Sequence, residues 1–186
     1  TLNDVLNHLD DPDLVVLDCT VKSESDGEGG RRSVSGRAAY EQGHIPSAGF
    51  ADLMGALADT TSSLRYAVPS PEQFAAAMGE LGVGDDSRVV LYDTRGSAWA
   101  ARVWWMLRWV GFDRAAILDG GLKAWTAEGR ELSTEIFERQ AKTLTPRVRP
   151  ELIANRDEVF AAISDEAVTL IDVMPEPHYR GEMAMY

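Results

Sequence analysis

The chain has 186 residues, 45% of them hydrophobic and 26% charged, which suits one medium soluble domain or one domain with part of another. Its net charge of −12 argues against nucleic acid as a partner, because an acidic surface repels phosphate backbones. No apolar run approaches the roughly 20 residues of a membrane span, the polar opening TLNDVLNHLDDPD is unlike a signal peptide, and the lone Cys19 excludes an internal disulfide framework and favours the cytoplasm.

The opening LNDVLNHLDDPD reads as a short amphipathic helix stopped by Asp-Pro. LVVLDCTV (14–21) is apolar on both faces and reads as a buried strand. The polar, Gly-rich stretch 22–36 has no periodicity, so a mobile surface loop is expected, its ESDGEGGRR core solvated. Residues 36–53 read as a short helix, a Gly-His-Ile-Pro turn and a brief strand near Ala48–Phe50. PSPEQFAAAMGELGV (69–83) is a helix with Pro71 in its first turn and Gly82 past its end. SRVVLYD (87–93) is a second strong strand, and SAWAARVWWMLRWVGF (97–112) a helix closed by Gly111. AAILDGG (115–121) is a third strand ending in a double-Gly turn, and LKAWTAEG (122–129) a further helix. Strands alternating with helices predict an α/β fold with a central parallel sheet flanked by helices. The ligand face should lie beyond the strand ends that carry Asp18, Asp93 and Asp119.

After Gly129 the texture becomes polar and charged, with two prolines, and 130–149 reads as an extended linker. IANRDEVFAAI then predicts a helix and AVTLIDV a buried strand, echoing LNDVLNHL and LVVLDC. That echo suggests an internal repeat whose second copy begins near residue 150. One helix and one strand bury too little apolar surface to stand alone, so the expectation is a part of a longer chain.

Strand, tight loop and helix N-terminus concentrate backbone N–H donors, a setting for an anion or a thiolate. In RVVLYDTRGSAWAARVWW the residue at that place is Asp93, itself an anion. Arg95 and Arg102 are neighbours with charge to pair with it, though each reads first as an ordinary surface arginine. Cys19, at the end of an apolar strand, reads as a buried structural thiol, and His44 as a turn histidine bonded locally. Trp99, Trp104, Trp105 and Trp109 read as core or as a covered face. No CxxC, HExxH or His/Cys cluster is present and the three histidines are scattered, so no metal or other cofactor is expected.

Three ordered segments resemble the two-domain rhodaneses, the thiosulfate and 3-mercaptopyruvate sulfurtransferases. They are GRAAYEQGHIPSAGFADL, VVLYDTRGSAWAARVWWMLRWVGF and ILDGGLKAWTAEGREL. The resemblance covers residues 2–135, with a second copy starting over about 150–182. It implies a first rhodanese-like domain (1–135), a linker (136–149) and an incomplete second copy (150–186). It also implies a sulfurtransferase that moves sulfane sulfur from thiosulfate or 3-mercaptopyruvate to cyanide or a thiol through a cysteine persulfide. In the family the loop cysteine belongs to the second domain, and the first commonly carries Asp there, as Asp93 does here. The nucleophile is then expected beyond residue 186, this chain alone is expected to be inactive, and the second domain is the implied packing partner. The family's substrate-binding Arg position falls on His178, with Arg180 two residues on. On an extended segment the two would face the same side, so both are candidates for binding the anionic donor.

Two other classes compete with this reading. A non-catalytic rhodanese-like module used for binding or regulation would transfer no sulfur. A phosphatase-like relative would need Cys-x5-Arg, and DTRGSAW has no such cysteine.

Overall fold

The computed structural model describes residues 2–27 and 30–183, apart from the side chains of Leu2 and Leu6. Contacts divide the chain into two units, Thr1–Arg149 and Pro150–Tyr186.

In the first unit α1 (Leu2–Leu6) precedes β1 (Leu14–Asp18), all five residues of which are buried. An antiparallel hairpin follows, β2 (Val21–Ser25) with β3 (Arg31–Ser35). Next come α2 (Arg37–Gln42), β4 (Gly49–Phe50), α3 (Pro71–Glu80), β5 (Arg88–Tyr92), α4 (Ala98–Trp109), β6 (Ala115–Ile117) and α5 (Gly121–Ala127). The four-stranded sheet runs β4-β1-β5-β6 and every pairing is parallel. Leu14 lies beside Arg88 and Asp18 beside Tyr92, so β1 and β5 end level.

Strand alternation sorts the core into two layers. Val15, Leu17 and Cys19 of the β1 region point with Val89 and Leu91 towards α3 and α4, meeting Phe74, Met78, Val103 and Met106. Leu14 and Val16 point the other way with Tyr92, towards Val5, Ile45 and Trp125. This two-sided burial explains why β1 is a continuous apolar run. The start of α3 also follows from local chemistry: Ser70 accepts the Gln73 N–H at 3.1 Å and Pro71 occupies the first turn.

Two expectations change. The stretch 22–36 is a β-hairpin, held by cross-strand pairs such as Glu24 with Arg32; Glu28 and Gly29 of the expected solvated loop lie outside the described residues. Residues 136–149 run extended over the surface of the first unit, as the sequence suggests, and what it does not show is how they are bonded there. The Lys142 N–H donates to Gly79 O at 3.0 Å, Arg147 N–H to Val110 O at 2.7 Å, and Arg149 N–H to Trp109 O at 2.8 Å. Leu144 is buried there, and Arg149 pairs with Asp113.

The other change concerns the second unit. It holds a 3-10 turn (Pro150–Leu152), α6 (Arg156–Ala162) and α7 (Glu176–Tyr179). Asn155 and Glu158 form a reciprocal capping box at the start of α6. The expected buried strand 167–173 is not a strand: Leu170 is 50% exposed and Val173 89%. A strand needs a neighbour for its N–H and C=O groups, and no strand among the described residues of this unit offers one.

Candidate functional site: a cradle filled by Asp93

β5 delivers Asp93 into the turn before α4, where it is 2% exposed. Its Oδ1 accepts the backbone N–H groups of Arg95 at 2.7 Å and Ser97 at 3.0 Å. Its Oδ2 accepts those of Trp99 at 2.9 Å and Ala100 at 3.1 Å. One carboxylate therefore satisfies four donors of the loop and the first turn of α4. Ser97, the residue at the N-cap position, is left-handed and makes no side-chain cap bond, so Asp93 caps the helix from upstream. Charged acceptors make the stronger backbone bonds, and the helix dipole favours a negative group here.

The other side of the loop is fixed by α5. The Leu122 N–H donates to Asp93 O at 3.1 Å. Gly121 has φ +54°, and a Cβ placed on it would stand 2.4 Å from Asp93 O. Only glycine combines that backbone angle with so close an approach. The ILDGG motif thus earns its double glycine by seating the second helix against the loop.

Asp18 ends β1 beside Tyr92 and is also 2% exposed. Its Oδ1 accepts the Thr20 N–H at 2.8 Å. The Tyr92 hydroxyl bonds to the Asp18 carboxylate and accepts the Ile45 N–H at 3.2 Å. Burial raises the Asp18 pKa, against the lowering effect of its bonds to Thr20 and Tyr92; the nearby Asp93 charge adds to the rise. Burial also pushes the Tyr92 hydroxyl far up. The sequence does not reveal this Asp18–Tyr92–Ile45 chain, because it depends on the register of β1 with β5.

Cys19 is fully buried, and desolvation, aided by the Asp18 and Asp93 charges, holds its thiol well above the ordinary range. Such a thiol carries almost no thiolate at neutral pH and is a poor nucleophile. His44 is fully buried and stacks on Tyr40 with ring centroids 4.0 Å apart. Its Nδ1 lies 2.7 Å from Tyr40 O and its Nε2 3.1 Å from Glu135 O. Paired backbone bonds with Ser133 add to this, so His44 clips residues 133–135 to the unit.

Neither Arg95 nor Arg102 pairs with Asp93 through its side chain. Arg95 contributes its backbone N–H, while the Arg102 guanidinium donates to Tyr66 O at 2.8 Å and lies over Trp105. Asp119 is exposed, unlike the buried Asp18 and Asp93. Trp109 is buried; Trp99, Trp104 and Trp105 are half-buried against the core. In the second unit His178 lies within α7 and Arg180 caps its end, so the extended geometry that would face them the same way is absent. Arg180 pairs with Glu176 at 2.5 Å and His178 Nδ1 lies 3.2 Å from Met183 O. No group of three or more metal-ligating side chains occurs among the described residues, nor a helix long and apolar enough to cross a membrane.

The Rhodanese-like domain model matches residues 1–128. A 3-mercaptopyruvate sulfurtransferase of Escherichia coli (strain K12) is 34% identical over 176 residues, 95% of this chain and 60% of that protein. A thiosulfate sulfurtransferase of Cricetulus griseus is 31% identical over 147 residues, 78% of this chain and 49% of that protein. The chain thus spans about half to three-fifths of the length of these curated relatives. The crystal structure of SseA from Escherichia coli, a 3-mercaptopyruvate sulfotransferase of rhodanese fold, superposes with a TM-score of 0.83 at 32% identity. That match covers all of this chain and 68% of that one. With the parallel sheet, the cradle after β5 and the double-Gly turn before α5 in place, the chain belongs to the rhodanese family.

Proposed function

We propose that these residues form the silent rhodanese domain, with the opening of a second copy, of a thiosulfate or 3-mercaptopyruvate sulfurtransferase. The observation that carries the reading is the Asp93 carboxylate bound by four backbone N–H groups where a sulfur-carrying thiolate would sit. A loop of inward N–H groups lowers a thiol's pKa and steadies an anionic persulfide without a general base. Asp93 uses the same donors but cannot attack a sulfane sulfur. Cys19, buried and held protonated, does not replace it.

The persulfide then forms on a cysteine that these 186 residues do not supply. Its thiolate attacks the transferable sulfur of the donor, breaking the S–S bond of thiosulfate with release of sulfite or the C–S bond of 3-mercaptopyruvate with release of pyruvate. Cyanide then takes that sulfur as thiocyanate, or an acceptor thiol takes it as a persulfide, and the cysteine thiolate is restored. In the whole protein the second rhodanese domain packs on the first. The half-buried Trp104 and Trp105, with Arg102 and Arg108 over their rings, support the α4 face as part of that contact. His178 and Arg180 remain the candidates for the anionic donor in this reading, with Arg180 exchanging Glu176 for substrate, although α7 does not set the two on one extended face. The single cysteine supports a reducing, cytoplasmic setting.

The test is thiocyanate formation from thiosulfate or 3-mercaptopyruvate plus cyanide, with this chain beside its Cys19→Ser variant. Neither should turn over. Turnover lost only in the variant would make Cys19 the nucleophile and overturn the reading. A whole protein that also transfers no sulfur would favour a binding or regulatory module instead.

A further inference from the structure

The β2–β3 hairpin and the loop 52–66 enclose a cleft of ≈ 520 Å³ in the first unit. The hairpin follows β1 and the loop follows β4, so the cleft lies beyond the carboxyl ends of parallel strands, where open α/β sheets bind ligands. Arg31, Arg32 and Arg65 line it, three guanidiniums together in a chain of net charge −12. Leu53, Met54 and Leu64 give it an apolar side, and Leu64 is 73% exposed. We infer that this cleft, separate from the Asp93 cradle, binds a small organic anion that carries an apolar body.

The frame is set in advance. Arg31 is held by Ser23, its Nε donating to the hydroxyl at 2.8 Å and a second nitrogen to the carbonyl. The loop is tied to α3 by the Gln73 amide, which donates to Ala56 O at 3.2 Å and Ala58 O at 3.0 Å. It is tied to α4 by Arg102 on Tyr66 O and by the Tyr66 and Trp99 rings, 4.9 Å apart. Two carboxylates also line the cleft, against three guanidiniums. Asp26 accepts the Gly30 N–H at 2.8 Å. Asp59 accepts the Thr61 hydroxyl at 2.6 Å and the Thr61 N–H at 2.9 Å, which hold its pKa below the usual value.

Charge and volume define the ligand. The field of the whole acidic protein repels anions, so an anion that binds here does so through local guanidiniums, which favour flat carboxylates and sulfonates. An inorganic oxyanion leaves most of the cleft and the apolar side unused. The volume falls within the range of about 300–1,000 Å³ typical of small-molecule sites. A carboxylate on an aromatic or aliphatic body uses both.

Phenylacetate is the probe, and phenylacetamide its neutral counterpart of the same shape. The full chain is titrated with each while the arginine Nε and backbone resonances are followed by nuclear magnetic resonance. Phenylacetate should bind with a dissociation constant on the order of 1 mM, as expected for a ligand of this size. It should move the Arg31, Arg32 and Arg65 signals, with the amide at least tenfold weaker. Arg32→Gln should weaken phenylacetate at least fivefold, while Arg114→Gln, on a surface away from the cleft, leaves it unchanged. Equal binding of acid and amide overturns the inference. So does an Arg32→Gln protein that binds as before, or a response confined to residues 150–183.

Discussion

LVVLD (14–18) and TLIDV (169–173) are nearly the same kind of sequence, yet they end in opposite states. The first is a fully buried central strand between β4 and β5. The second has no strand partner among the described residues and exposes Ile171 at 78%. Each follows a short helix, and α6 carries a reciprocal capping box at its start. The difference is therefore one of neighbours: an apolar run becomes a strand only where flanking strands take its hydrogen bonds and helices cover its faces.

The sharpest way to break the organised region is at its cradle. Asp93→Ala leaves four N–H groups without their acceptor, at roughly 1–3 kcal/mol for each buried orphan and with partial relief from water. A loss of about 3–6 kcal/mol in the first unit is expected, read by urea unfolding. Asp93→Asn keeps one carboxamide oxygen and turns an NH2 towards the donors, so about half that loss is expected. A loss below about 1 kcal/mol in the alanine variant would mean that the four bonds do not hold the loop.

A matched pair of truncations sharpens the comparison itself. Leu17 is fully buried, and Leu17→Ala should cost about 2–5 kcal/mol by lost burial and cavity formation. Leu170→Ala, at a half-exposed position, should stay within about 0.5 kcal/mol. Equal costs in the two variants would show that the second segment is packed as tightly as the first.

The smallest effect concerns the extended segment 136–149. Asp85 accepts the Thr145 N–H at 2.7 Å and its hydroxyl at 2.8 Å, and Asp113 pairs with Arg149. The backbone bond from Thr145 lowers the Asp85 pKa first, then its hydroxyl; the Arg149 bond lowers that of Asp113. A depressed carboxylate stabilises above its unfolded pKa, and that contribution is lost as pH falls through the folded value. Asp18 has the opposite sign. Its raised pKa favours the fold below the unfolded value and loses that advantage as pH rises through the folded one. Amide exchange at Thr145 and Arg149 should therefore quicken as pH drops below the ordinary carboxylate range near 3.8, relative to amides of β1. Both carboxylates are exposed, so the change should be modest, and Asp85→Asn should abolish its pH dependence at Thr145. An unaltered rate ratio across that range would sink the assignment.

Much of the first unit is legible in the sequence because its signals are local. Apolar runs mark β1 and β5, Ser-Pro marks the start of α3, and glycines follow α3, α4 and α5. The hairpin is harder to read, since its strands are polar and only half-covered. Asp26-Gly27 is the turn signal within it, and the pairing of Glu24 with Arg32 appears only once the strands are aligned. At the site, the sequence locates Asp93 at a strand end before a helix. It does not reveal that backbone donors, rather than Arg95 or Arg102 side chains, surround the carboxylate, because those donors converge only when the loop closes. The exposed state of 167–173 is invisible to any periodicity argument, which assumes neighbours that a single segment cannot guarantee.

The cradle also has an occupant that never leaves. Asp93 is joined by covalent bonds to the loop that binds it, so it meets its four donors at an effective concentration no dissolved anion approaches. Thiosulfate, sulfite or phosphate in solution therefore does not exchange into this loop. The four donors are therefore expected to keep their arrangement whether or not any of them is present, so that whatever packs against the start of α4 meets a loop already filled from within.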